Sequence, residues 1–292
     1  MKKKILALLL AVVMLLPVSA FADVPSAAEK ITEYYRSNTV LTSWWDVVAL
    51  WGAGENLENY SLPEWNSNTL SDTSSVTDYA GVIMGLIAAG ENAHDIWNRD
   101  IAEELAKKQV SETGAFGDYV NMQVYSMLAL DAAGEEYDKE AALNYLVSNE
   151  ISGGGFGYNE TDADADLTSM ALIALSGTEY TDVIERAVTF LAQSQLENGG
   201  FQSWGTENSN TLEAVISALS SLGKLEDERF IKNGKTLCDV LEGYILSDGS
   251  LAWEAGTDES DLMATQQGLI ALGDVNNGGS VFKRLKSLYE CS

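Results

Sequence analysis

The chain has 292 residues, 46% of them hydrophobic, with only three prolines, so it can bury a sizeable core. Its 44 acidic residues against 17 basic ones give a formal net charge of −27, a surface that repels phosphate backbones and excludes nucleic acid as an expected partner. Two cysteines, Cys238 and Cys291, are too few to scaffold a fold, which must therefore stand on packing.

In chain order, Met1 is followed by Lys2, Lys3 and Lys4, an apolar run over residues 5–16, and the small-residue site Ala20, Phe21, Ala22. That is the order of a secretory signal peptide, with cleavage expected after Ala22. A bilayer-crossing helix needs about 20 apolar residues, more than this run or any later one supplies, so no membrane span is expected. Removing residues 1–22 takes away three lysines and moves the charge from −27 to −30. The expected product is secreted and extracellular, a monomer with a single domain over residues 23–292. Its two cysteines leave open a bridge or two packed thiols.

Within that domain a glycine turn ending in Phe or Leu recurs: Gly114-Ala115-Phe116, Gly154-Gly155-Phe156, Gly199-Gly200-Phe201 and Gly249-Ser250-Leu251. Before each turn lies a helical segment in which a leucine is followed one helical turn later, usually by Gln or Glu: Leu105/Gln109, Leu146/Glu150, Leu191/Gln195, with Leu241/Ile245 the exception. After each turn a second segment closes on Ala-Leu, at Leu130, Leu175, Leu219 and Leu272, with Gly134, Gly177, Gly223 and Gly273 expected as helix stops. Eight residues before each Ala stand Asn121, Asp166, Asn210 and Met263, the first three expected as helix caps, Asn210 in a capping box with Glu213. Weaker copies cover residues 77–90 and 44–54. The unit is two antiparallel helices, repeated about six times in roughly twelve helices. The second helices are apolar on nearly all faces and suit an inner ring, the first helices an outer one.

The segment with Arg186, Ala187, Phe190, Leu191, Gln195, Gly199, Gly200 and Phe201, continued by Trp204-Gly205 and Ser209-Asn210-Thr211, resembles the prenyltransferase/squalene oxidase repeat of terpenoid cyclases and protein prenyltransferase β-subunits. Phe201 stands where that motif ends in Trp. The resemblance covers about residues 40–290 and implies an all-α fold, an α/α toroid of two concentric rings. Asp118-Tyr119-Val120-Asn121 and Asp164-Ala165-Asp166 look most like secreted bacterial toroids related to the helical domain of cobalamin carriers.

Protonation-initiated cyclases use Asp-x-Asp-Asp, but here Leu167 replaces the last acid, and Asn121 and Asn210 in sister repeats favour capping at Asp166. Asp162, Asp164 and Asp166 start like a calcium loop, yet Leu167 and Ile173 stand where an EF-hand needs Gly and Glu, leaving only an irregular calcium site open. The one histidine, His94, is expected to be a solvated loop residue, so neither a zinc set nor a nucleophile pair can be built and no catalytic residue, metal or cofactor is expected.

Aromatics remain: Tyr119, Tyr158, Trp204 and Trp253 each follow a glycine turn, while Trp44 and Trp45 open an earlier inner helix. They either pack between repeats or line one mouth of the ring. With the polar residues Asp46, Asn121, Asp164, Asp166, Asn208, Asn210 and Asp261 they form the expected ligand-binding set. The expected function is a non-enzymatic binding module capturing a small molecule such as a corrinoid. Alternatives are a terpenoid-cyclase-like or polysaccharide-acting enzyme, and a structural or adhesive domain for another surface protein.

Overall fold

The computed structural model describes residues 24–290, and it is mostly helical. The expected signal peptide and Cys291 lie outside the described residues, and with Cys291 the question of a bridge to Cys238, whose thiol is buried. Among the described residues no helix is long and apolar enough to cross a membrane.

The helices are α1 (Val24–Ser37), α2 (Trp44–Ala53), α3 (Val76–Ala88), α4 (Ile101–Ala106), α5 (Val120–Ala133), α6 (Lys139–Ser148), α7 (Ala165–Leu175), α8 (Thr181–Ser194), α9 (Ser209–Ser221), α10 (Leu237–Leu241), α11 (Leu262–Asn277), α12 (Val281–Arg284) and α13 (Lys286–Glu290). Two small antiparallel hairpins, absent from the sequence reading, precede α9 and α11: β1 (Gln202–Ser203) with β2 (Thr206–Glu207), and β3 (Leu251–Ala252) with β4 (Ser260–Asp261).

The Ala/Leu-rich helices α2, α3, α5, α7, α9 and α11 pack one on the next in that order, and α11 packs back on α2. The shorter or more amphipathic helices lie against them: α4 on α3 and α5, α6 on α5, α8 on α7, α10 on α9, and α1 on α11. Leu105, Leu146, Leu191 and Leu241, the repeated leucines, are fully buried in the joints. Burying one such side chain is worth about 2 kcal/mol, so the repeat pattern is also the stability pattern.

The polar half of the repeat has a definite job. Gln109 Nε2 donates to the carbonyls of Gly114 (3.2 Å) and Asp138 (2.8 Å), and Gln195 Nε2 to those of Gly199 (2.9 Å) and Phe230 (3.0 Å), tying each glycine turn to the repeat that follows. Glu150, in the same place, instead pairs with Arg186 of α8 at 2.6 Å. From the other side Gln123, Thr168 and Thr265 accept the backbone N–H of Phe116, Phe156 and Leu251 at 2.8, 2.9 and 3.0 Å.

Two expectations about helix ends are corrected. Gly273 does not stop α11, which runs on to Asn277 and ends at Gly278, because a Cβ-free residue at 273 lets α11 approach the backbone of Gly52. The caps of α7, α9 and α11 lie two residues before the expected slot: Asp164 accepts from the N–H of Asp166 and Leu167, Asn208 from Thr211, and Asp261 from Ala264, while Tyr119 precedes α5 without a side-chain cap. Asn121, Asp166 and Asn210 are therefore not caps, and no capping box joins Asn210 to Glu213. The extended backbone just before α7, α9 and α11 leaves the side chain two residues earlier in reach of the free N–H groups.

The C-terminal segment is folded onto this arrangement. α12 packs on α5, α2 and α11, and α13 on α5 and α3. Asp274 Oδ1 accepts the Val281 N–H at 2.6 Å, Arg284 reaches the carbonyl of Gly52 at 3.1 Å, and Lys283 donates to the carbonyl of Ser176 at the end of α7.

Candidate functional site

At the N-terminal ends of α5, α7 and α9 three aromatic side chains form a row. Tyr119 meets Tyr158 edge to face at 5.9 Å, and Tyr158 meets Trp204 at 5.6 Å. All three are exposed, Trp204 at 83%. Trp204 sits at the tip of the β1–β2 hairpin with φ 54, a conformation bulky residues rarely adopt, so backbone strain holds a large ring out in water. A packing role would bury that ring.

Beneath the row lies a collar of polar side chains. Asp164, besides capping α7, accepts the Ser203 hydroxyl at 2.7 Å and so joins the hairpin to α7. The buried Oδ1 of Asp166 has no hydrogen-bond partner among the described residues, because the nearby hydroxyls of Ser203 and Thr211 donate to Asp164 and Asn208 instead. Burial, and then the charge of Asp164, push the Asp166 carboxyl up to about 6. Asn121 Oδ1 is likewise buried without a partner. Asn210 bridges to Gln267 of α11 at 2.9 Å.

Deeper still, Glu213 is 1% exposed and neither of its oxygens is hydrogen-bonded among the described residues; the hydroxyl of Ser209 donates to the Ala252 carbonyl. Burial, then the charge of Asp261, raise its carboxyl well above the usual range. It lines a cavity of about 40 Å³ with Trp45, Tyr125, Met170, Gln267 and Phe282.

Asn121, Asp166, Asn210 and Met263 each stand one helical turn before Tyr125, Met170, Ala214 and Gln267, and all four of those residues line the cavity. The periodic slot seen in the sequence marks the inward face of each helix.

The other expected site residues are placed differently. Asp46 is 2% exposed and fully engaged: its oxygens accept from the N–H of Thr42 and Ser43, the Tyr35 hydroxyl (2.9 Å) and Gln266 Nε2 (2.7 Å). Asn208 is buried as a cap, and Asp261 caps α11. Trp253 projects from the β3–β4 hairpin, where its carbonyl accepts the Ser209 N–H at 2.9 Å. Trp44 is wedged against α3, where a Cβ on Gly81 would lie 2.2 Å from its Nε1. Sequence reading missed Glu213 as a site residue, taking it for half of a capping box, and missed Tyr125 and Phe282; the one charged residue of α9, flanked by Leu212, Ala214 and Val215, was the available signal.

His94 also needs correction. It is not a solvated loop residue: its Nδ1 lies 3.1 Å from Asp100 and 3.4 Å from Glu135, and its Nε2 is 3.0 Å from the carbonyl of Ala133. Burial works against its charge, but the Ala133 carbonyl and Asp100 outweigh that and raise its pKa. These three residues have the composition of a metal-ligand set, yet a protonated histidine paired with two carboxylates accounts for the geometry without an ion.

The raised acids carry a sign. A carboxyl whose folded pKa lies above its unfolded one keeps its proton longer when folded, so stability falls as pH rises between the two values. For Asp166 that window runs from 3.8 to about 6. Asp166→Asn is therefore expected to stabilise the protein by about 1–2 kcal/mol at pH 8 and by nothing at pH 4, measured by urea denaturation at both pH values. A cap would give no such pH-dependent gain.

No protein-family model and no curated protein matches this chain.

Proposed function

We propose that the protein is a secreted, non-enzymatic binding module built as an α/α toroid of prenyltransferase/squalene oxidase-type repeats, related in kind to the helical domain of cobalamin carriers. The serial packing of α2, α3, α5, α7, α9 and α11, with α11 back on α2, supports two concentric rings. The basic start, short apolar run and small-residue site over residues 1–22 support secretion.

One observation carries the binding reading: an exposed aromatic row, Tyr119–Tyr158–Trp204, stands over the buried, unpartnered acceptor oxygens of Asn121 and Asp166. Such a mouth suits a ligand with a flat apolar face for the rings and N–H donors for the oxygens. A corrinoid, a flat macrocycle fringed with amides, has both. The cavity below, at about 40 Å³, is far too small for a polyprenoid chain, which argues against cyclisation even though Asp166 has the pKa of a usable acid.

Native mass spectrometry of protein from the natural host's medium, followed by titration with cyanocobalamin, tests the reading. A retained or titratable corrinoid supports it; its absence in both experiments removes the corrinoid. Trp204→Ala is expected to weaken binding at least about tenfold by loss of the stacking face while leaving the melting temperature unchanged, since an exposed ring contributes little to folding.

A further inference from the structure

We infer that the cavity beneath the mouth is a binding site for a primary ammonium group, held between the faces of Trp45, Tyr125 and Phe282 and the carboxylate of Glu213. The three rings stand mutually near-perpendicular: Trp45 to Tyr125 at 5.9 Å and 90°, Trp45 to Phe282 at 5.9 Å and 79°, Tyr125 to Phe282 at 6.0 Å and 82°. Three ring planes meeting this way make the corner of a box, and an aromatic face attracts a cation, most strongly where water is excluded.

The box is built rather than incidental. Its rings come from α2, α5 and α12, segments far apart in the chain. Trp44 stacks on Trp45 at 4.1 Å and 25°, meets Tyr125 at 6.1 Å and Phe282 at 6.5 Å, and is itself seated where Gly81 and Gly85 of α3 leave room for it. Trp45 is thus held before any ligand arrives, which lowers the ordering cost of binding.

The independent observation is Glu213. A carboxyl 1% exposed with neither oxygen hydrogen-bonded is an expensive arrangement in a folded protein, because burial removes the water that would solvate it. The charged groups acting on it, Asp261 and Asp166, are acids that cannot pair with it. A bound cation with N–H donors supplies both the missing charge and the missing hydrogen bonds.

Size sets the class. A water-sized probe needs about 10–15 Å³, so a cavity of about 40 Å³ takes an ammonium or methylammonium head but not a trimethylated one. The remaining walls, including Met170, Ile173 and Ile270, suit the first carbons of an alkyl amine. This inference does not rest on the corrinoid reading, because the ligand class and the residues differ; Trp204→Ala tests the rim alone.

The test is isothermal titration of the full chain with methylammonium chloride, beside tetramethylammonium chloride and sodium chloride. Saturable binding of methylammonium is expected, with tetramethylammonium at least about tenfold weaker and sodium producing none. Glu213→Gln and Trp45→Leu should each weaken methylammonium at least about tenfold, while Trp45→Phe keeps a ring face and stays within about threefold. Should Trp45→Leu fail to fold by circular dichroism, Phe282→Leu removes another wall and is read the same way. Equal responses to the three salts would mean only screening of an acidic surface and overturn the site. So would full affinity in Glu213→Gln or in a folded wall variant, or the lack of any saturable methylammonium binding.

Discussion

Replacing Asp46 with alanine is expected to lower the unfolding free energy by about 3–4 kcal/mol, a large share of what a domain of this kind has. The carboxylate gathers five donors from three segments: the N–H groups of Thr42 and Ser43 and the Thr42 hydroxyl just before α2, the Tyr35 hydroxyl of α1 and the Gln266 amide of α11. Each hydrogen bond to a charged acceptor contributes about 1.5–3 kcal/mol, and truncation strands buried donors, so the cost exceeds that of a lost cap. The Tyr35 hydroxyl is accordingly held far above its ordinary pKa by burial and by Asp46. Asp46→Asn, which keeps one acceptor oxygen, should cost about half as much, since one of its two acceptor sites becomes a donor facing donors. Urea denaturation with an unchanged m-value would report these losses as stability rather than as a change of compactness. A loss below about 1 kcal/mol for Asp46→Ala would reduce Asp46 to the helix cap that its position alone suggests.

That residue shows what the sequence could and could not reveal. The pairing of helices was legible because it is written in spacing: the leucines and glycine turns recur, and the helices fall where the Ala/Leu runs are, including α2 and α3 in the weaker copies. Chemistry that depends on one side chain meeting another across the fold was not. Nothing near Asp46 in the sequence announces Gln266, and Phe282 arrives beneath Trp45 only because α12 folds back onto α2 and α5.

The helix-start slot illustrates a subtler failure. Asn121, Asp166 and Asn210 stand out by their period, yet a polar residue near a helix start serves equally as cap or as an inward-facing group. The extended residues just before α7, α9 and α11 decided between them by supplying Asp164, Asn208 and Asp261 as caps, the last two at the ends of two-residue hairpins. Those hairpins are too short to leave a period-two signal. Of the acceptor oxygens left without a partner, those of Glu213 line the cavity, and Asn121 and Asp166 stand one helical turn before its wall residues Tyr125 and Met170.

The closing contact of the chain on itself can be broken at one glycine. In three turns the glycine abuts the helix that follows the next Ala/Leu-rich one: Gly114 against Ala141 of α6, Gly154 against Arg186 of α8, and Gly199 against Val240 of α10. In the fourth, Gly249 abuts Lys30 of α1, so the N-terminal helix takes the part that α6, α8 and α10 play at the other three turns. Gly249 has φ +90, and a Cβ there would lie 2.2 Å from the Lys30 carbonyl oxygen, a backbone atom that can retreat only if α1 moves as a whole. α1 is anchored by Ala27, Ile31 and Tyr35, all essentially buried, so that retreat opens apolar contacts. Backbone strain of about 1–2 kcal/mol adds to the clash, and Gly249→Ala is expected to cost about 3 kcal/mol or more. Gly256→Ala separates the two contributions: its φ is +79 but nothing lies within 4 Å, so only the strain remains, at about 1 kcal/mol. Hydrogen exchange should locate the difference, with the amides of α1 losing protection in Gly249→Ala and keeping it in Gly256→Ala. Equal costs in the two variants, with α1 equally protected, would make α1 an appendage rather than a helix on which the packing of α11 depends.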